Sequence, residues 1–288
     1  MLVLMSHSHH IKSGKNLKIA IFLNFAFFVV ELICGNIFNS KIILADALHD
    51  LGDVLLLLTS LIFDKISRKK PNSKYSYGFR RLVVFGAILN SVVLLVGVSQ
   101  MIRWIYYEIA FPHKHPFVNI PGLAIVSVLG IVVNLVAAWR VHGSKNILDR
   151  TVFVHLLEDL LGWIMSFLTA ILIGFTGLHQ LDQIVSILIL AIISWGAISN
   201  VWKISKIFLQ ATPNEKDLSK IKQKISKISG ISKIENVHFW TLDGEHHIFT
   251  ARIFVENLNN SKNIRAEISK ILPHFGVVDS TIEIIEDK

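Results

Sequence analysis

The chain has 288 residues, of which 52% are hydrophobic and only 17% charged, and its mean hydropathy is +0.54; this excludes an ordinary soluble domain and indicates a polytopic membrane protein. The formal charge of +8 then speaks of topology and anionic-lipid contact rather than of nucleic acid. Cys34 is the single cysteine, which leaves no intramolecular disulfide and no thiolate metal cluster.

In chain order, residues 1–16 read as an N-terminal tail, basic and carrying His7, His9 and His10, with the character of a poorly ordered end more than of a weak metal-catching segment. No cleavable signal peptide is evident, because the first apolar run already has the length of a full span. Apolar stretches of about 20 residues, the length a bilayer requires, lie near 17–37, 42–63, 82–107, 117–139, 151–174 and 181–203. They predict a transmembrane domain of six helices over 17–209. The intervening segments sort by charge. Lys12, Lys15 and Lys18 stand before and at the start of the first span, Lys65, Arg68, Lys69, Lys70, Lys74, Arg80 and Arg81 follow the second, and Arg140, Lys145 and Arg150 follow the fourth. The alternate loops hold little beyond Lys41 and Lys114. The positive-inside rule therefore places both termini in the cytoplasm, as an even number of spans also requires.

Hydrophobicity falls at about residue 209, where ATPNEKD opens a second domain over 210–288. Ile221, Ile225 and Ile228 recur at helical spacing among lysines and predict an amphipathic helix closed by Gly230. Two β-rich runs follow, KIENVHFWTL and HIFTARIFVEN, joined by the turn residues Asp243 and Gly244. A helix near 261–272 and a last strand, VVDSTIEII, complete an α-β-β-α-β order. The expected packing is a small α+β domain of ferredoxin-like type, an open antiparallel sheet with its helices on one face.

Two copies of one pattern carry the chemistry. His49 and Asp53 in HDLGD, and His155 and Asp159 in HLLED, stand four apart within apolar helices, so each pair directs an imidazole nitrogen and a carboxylate oxygen from one helix face. A lone histidine in an apolar helix is more often a satisfied core residue. A carboxylate at bilayer depth, however, costs about 3 kcal/mol on the insertion scale, and recurrence at the same spacing in a second span points away from coincidence. Two such helices face to face make a pocket of two nitrogens and two oxygens, which suits zinc, whereas an all-oxygen cage suits calcium or magnesium.

With these residues in view the chain resembles the cation diffusion facilitator family, nearest to bacterial transporters of the cobalt–zinc–cadmium resistance type. The resemblance runs through nearly the whole length beyond the tail. NSKIILADALHDLGD is similar to the family's second-span signature, with Asp46, His49 and Asp53 in order, and VHLLEDLLGW to that of the fifth span. Asn24, Glu31 and Gly35, YGFRR leading to Asn90, Asn134, Asp182 and NVHFWTLDGEHH add weaker likenesses. The resemblance implies a homodimer in a bacterial inner membrane, with six spans and a cytosolic ferredoxin-like domain in each protomer. It implies export of a divalent metal, zinc above others, driven by inward proton flow. It also implies a transport site at His49, Asp53, His155 and Asp159, the same quartet, with zinc as cargo and no prosthetic group.

The chain departs from the family pattern in places. Arg81, Leu82 and Val83 stand where the family often has Arg-x-Glu, and Arg252 and Asp279 stand at positions where histidines are common in the cytoplasmic domain. Arginine does not deprotonate in proteins and does not ligate. His238, His246, His247 and Asp279 remain as candidate ligands there, while the loop after the second span holds no histidine.

Two carboxylates and two neutral imidazoles give the quartet a charge of −2, which either one divalent ion or protons neutralise, so metal and protons compete. An imidazole's ordinary pKa of ~6.5 lies close to cellular pH and makes that competition sensitive. Asp46, one turn before His49, is a candidate outer partner or proton relay. Two rival classes are an intramembrane zinc enzyme with an open coordination position and a metal sensor that does not transport. No H-E-x-x-H motif is present, and four ligands leave no open position.

Overall fold

The computed structural model describes residues 14–111, 117–141 and 147–287; the N-terminal histidines and the His155 side chain lie outside what is described. Its long helices are α1 (Gly14–Ile37), α2 (Lys41–Ser67), α3 (Arg81–Ala110), α4 (Ile120–Val141), α5 (Ile147–Thr176) and α6 (Gln180–Phe208). The C-terminal part contains α7 (Glu215–Ile225), β1 (Ile231–Thr241), β2 (His247–Val255), α8 (Ser261–Ile271) and β3 (Val277–Glu286). Among the described residues four segments are long and apolar enough to cross a membrane: Arg81–Ala110, Ile120–Trp139, Leu156–Thr176 and Gln180–Phe208. In α1 the described apolar stretch is Asn24–Ile37. α2 matches the others in length, but its composition is broken by Asp46, His49, Asp50 and Asp53. The outer faces are greasy: Phe175 is 87% and Trp195 77% exposed, an arrangement at home in lipid and not in water. The protein is an integral membrane protein.

The chain divides into two compact units, one made of Ser13–Leu58 and Leu89–Ile198, the other containing Thr59–Ile88 and Ser199–Lys288. In the first, α2 has packed neighbours on two sides. Ile43 joins Leu123 and Val126 of α4 and Trp163, Ala170 and Ile173 of α5 in one apolar cluster. Ala45 and Leu48 join Val98 and Ile105 of α3 and Leu190 and Ile193 of α6 in another. Helices α4 and α5 approach closely because Gly130 has no side chain: a Cβ there would lie 2.2 Å from the Trp163 ring.

The first turn of α2 is held by α6. Asp182 accepts hydrogen bonds from Ser40 Oγ at 2.7 Å, from the Lys41 N–H at 2.6 Å and from the Ile42 N–H at 3.4 Å, so a distant carboxylate satisfies donors that a helix start leaves open. Lys41, read from sequence as a loop charge, lies inside this turn and is buried. Its ammonium meets Glu108 of α3 at 3.1 Å, Asn39 Oδ1 at 3.1 Å and the Trp104 ring at 4.2 Å.

In the second unit, α7 starts at the cap Asn214, whose side chain accepts the Lys216 N–H, and ends at Ile225, before the expected Gly230; Ile228 is buried in the turn that follows. Ile221 and Ile225 of α7 and Ile264 and Ile268 of α8 pack with the alternate residues Phe249, Ala251, Ile253 and Val255 of β2. The sheet order is β1-β2-β3, with β1 and β2 antiparallel. The expectation of an all-antiparallel sheet is corrected here. β3 lies parallel to β2 in register Arg252↔Glu283, because α8 carries the chain back to the end at which β2 began. Asn236, at φ 46°, falls within a register shift between Glu235 and His238 that interrupts the β1 ladder.

Candidate metal centre

The period of α2 sets Asp46, His49 and Asp53 along one face, and α5 brings Asp159 to the same place. His49 Nε2 lies 3.9 Å from Asp53 Oδ2 and 3.8 Å from Asp159 Oδ1. A tetrahedral zinc with bonds of about 2.0–2.2 Å spaces its donors about 3.3–3.6 Å apart, so each carboxylate stands a few tenths of an ångström further from the imidazole than zinc would hold it. The carboxylates are largely buried and the imidazole is 35% exposed. His155 precedes Asp159 by one turn of α5; its side chain is outside the described residues. Among the described residues no group of three or more His, Cys, Asp or Glu side chains is gathered tightly enough to hold an ion.

More acid gathers here than the quartet contains. Asp46 lies within reach of the charges of His49, Asp159 and Asp53. Glu31 of α1 is buried and faces Asp46, Asp50 and Asp159, with its carboxyl in hydrogen-bonding reach of Asp50. Sequence reasoning did not single out Asp50, although Asp46 and Asp50 repeat the four-residue spacing that marks the two His–Asp pairs.

The C-terminal candidates are dispersed. His238 is exposed on β1 opposite Thr250, and Asp279 is exposed on β3 opposite Ile248. His246 Nδ1 lies 2.7 Å from Asp243 Oδ2 within a turn whose backbone is tied by Asp243 Oδ1, which accepts the N–H groups of Glu245 and His246. Arg80 approaches the same Asp243 oxygen at 3.9 Å. His247 sits edge-on to Phe239 at 5.3 Å. Burial holds its imidazole below the ordinary range; Asp243 opposes that shift and His246 adds to it. The four candidates do not come together as a ligand cluster. Arg252, at a common histidine position, instead donates from Nε to Glu283 Oε2 at 2.7 Å, a cross-strand ion pair between β2 and β3.

Comparison with known proteins matches residues 17–209 to the cation efflux transmembrane domain. The cadmium, cobalt and zinc/H(+)-K(+) antiporter of Bacillus subtilis is 31% identical over 97% of this chain and 91% of its own length. The zinc transporter ZitB of Pectobacterium atrosepticum is 30% identical over 97% of this chain and 88% of its own. The metal cation efflux system protein CzcD of Cupriavidus metallidurans is 25% identical over 96% and 88% respectively.

Proposed function

We infer what this chain does from one premise: it belongs to the cation efflux family, the cation diffusion facilitators. It is a transporter and not an enzyme, a divalent metal/proton antiporter that exports metal from the cytoplasm. Zinc is the first cargo, because imidazole nitrogens favour it over manganese and because a relative named as a zinc transporter matches 97% of this chain.

One observation carries the transport site: His49 Nε2 stands between the carboxylates of Asp53 and Asp159, which belong to two different helices. With His155 the set is two nitrogens and two oxygens at −2 charge, which one divalent ion neutralises. A metal reaching this depth sheds its water, and the four donors replace it. Protons arriving from the opposite side charge the imidazoles, which then no longer ligate, and the cargo leaves. Exposure of the site first to one side and then to the other completes the exchange. Asp46, beside the ligands, is assigned to proton relay.

The architecture that goes with this function is six spans over 17–209 in a bacterial inner membrane, with both termini cytoplasmic. A ferredoxin-like cytoplasmic domain over 210–288, a homodimer and contacts of the basic loops with anionic lipid complete it. The loop 68–80 carries five of those basic residues beyond the end of α2, at Arg68, Lys69, Lys70, Lys74 and Arg80, and no acid. X-ray absorption on the zinc-loaded full-length protein tests the ligand set. The expected first shell is two nitrogens and two oxygens at about 2.0–2.2 Å; an all-oxygen shell would contradict it.

A further inference from the structure

We propose that two reciprocal contacts between α2 and α3, Leu48 against Gly97 and Leu94 against Gly52, fix where His49 and Asp53 stand, which makes these four residues positioning residues for the metal. This rests on the assignment of His49 and Asp53 as metal ligands.

Leu48 and Gly52 stand one turn apart on α2, as Leu94 and Gly97 do on α3, and they pair in opposite order along the two helices, as antiparallel neighbours must. Each leucine fills the space that the glycine opposite leaves open. A Cβ at Gly97 would collide with Cδ1 of Leu48, and one at Gly52 would lie 2.8 Å from Cδ2 and 3.0 Å from Cδ1 of Leu94. Neither leucine has room to withdraw, because Leu48 is buried and both pack in one cluster with Val98 and Ile105 of α3 and Leu190 and Ile193 of α6. An interior packed in this way passes the displacement of a methyl group on to the backbone. The ligands are the next residues along the chain: His49 follows Leu48, and Asp53 follows Gly52. Successive helical residues point about 100° apart, so the side of α2 turned to α3 adjoins the side that carries His49 and Asp53 towards Asp159 of α5. The distances from His49 to the two carboxylates exceed the spacing of zinc donors by only a few tenths of an ångström, so a shift of α2 of that size decides how well the donors close on the ion. Gly86 of α3 and Phe63 of α2 supply an internal comparison. A Cβ at Gly86 would also collide, with the Phe63 ring, but Phe63 lies ten residues beyond Asp53.

The test is zinc calorimetry on the full-length protein in detergent, with gel filtration and thermal melting to report the fold. His49→Ala identifies the binding that belongs to the transport site. Gly97→Ala and Gly52→Ala are each expected to weaken that binding roughly tenfold, the loss that follows when the supports of a metal ligand are disturbed. Alanine is the better helix former, so such a loss reports the contact and not the helix. Adding Leu48→Val to Gly97→Ala removes the δ carbons that the new methyl meets, and it is expected to restore most of the affinity. Gly86→Ala is expected to leave zinc binding unchanged even where it lowers the melting temperature. Leu48→Ala cannot clash; it leaves α2 unbraced against α3, is expected to weaken zinc as well, and serves if a glycine variant does not fold. Wild-type affinity in whichever of Gly97→Ala, Gly52→Ala and Leu48→Ala are folded overturns the proposal. So does an equal loss in Gly86→Ala, or a Gly97→Ala defect that Leu48→Val leaves in place. Wild-type zinc binding by His49→Ala would instead overturn the assignment of the ligands.

Discussion

Lys41 Nζ lies 3.1 Å from Glu108 Oε2, both side chains being almost fully buried, an ion pair that falls short of hydrogen-bond alignment. A buried pair contributes little net stability, but removal of one partner strands the other charge. Lys41→Met should therefore destabilise the protein by about 3–5 kcal/mol, and the double variant Lys41→Met/Glu108→Leu should recover most of it. Reversible denaturant unfolding in detergent checks this; equal loss in single and double variants would count against it.

The contact of α4 with α5 depends on Gly130, whose added Cβ would collide with the Trp163 ring at 2.2 Å, whereas one added at Gly162 would find nothing nearer than Asp46 Oδ1 at 3.9 Å. Gly130→Ala should cost about 1–3 kcal/mol through overpacking of a buried site. Gly162→Ala, in a helix interior, should be neutral or mildly stabilising. Thermal melting of the two variants side by side decides between them, and similar melting temperatures would refute the packing account.

His247 makes the C-terminal domain sensitive to pH. Its folded imidazole resists protonation while the unfolded one titrates at about 6.5. Above that pH both states are neutral and stability is at its full value. As pH falls below it, the unfolded chain takes up a proton that the fold refuses, so stability declines until pH passes the lower folded pKa. Hydrogen exchange of the β2 amides, corrected for its intrinsic pH dependence, should show protection falling between pH 7 and 5 in the full-length protein. His247→Leu should flatten the curve, and a wild-type slope retained by that variant would exclude His247 as the source.

The residues that sequence exposes and those it hides differ in one respect, contact distance along the chain. Apolar runs locate the long helices, and the four-residue spacing of His49 with Asp53 and of His155 with Asp159 lies within single turns, so both are legible from local periodicity. The link of Ser40 to Asp182 spans 142 positions and leaves no local trace. Lys41 looks like a charge at a membrane surface because sequence cannot show that Glu108 meets it. The parallel placement of β3 is hidden for the same reason, since strand direction follows from where α8 delivers the chain. Glu31 reads as one acid in an apolar helix until α2 is laid beside α1.

Charge and shape separate at Asp53. Asp53→Asn keeps the size of the side chain but removes one of the two negative charges that balance a divalent ion, which would sit as net positive charge in a medium of low dielectric constant. Zinc affinity of Asp53→Asn by calorimetry should therefore be nearly as poor as that of Asp53→Ala. Affinity at the wild-type level in the Asn variant would show that charge balance at this position is unimportant.

The central claim is that metal moves through the site framed by His49, Asp53, His155 and Asp159 in exchange for protons. The most direct measurement is simultaneous recording of zinc and of pH inside proteoliposomes containing the full-length protein. Zinc uptake by the wild type should be accompanied by proton release from the lumen. His49→Ala, Asp53→Ala, His155→Ala and Asp159→Ala should each abolish both signals while the protein still elutes as a folded species. Coupled fluxes at the wild-type level in any two of these variants would contradict the account.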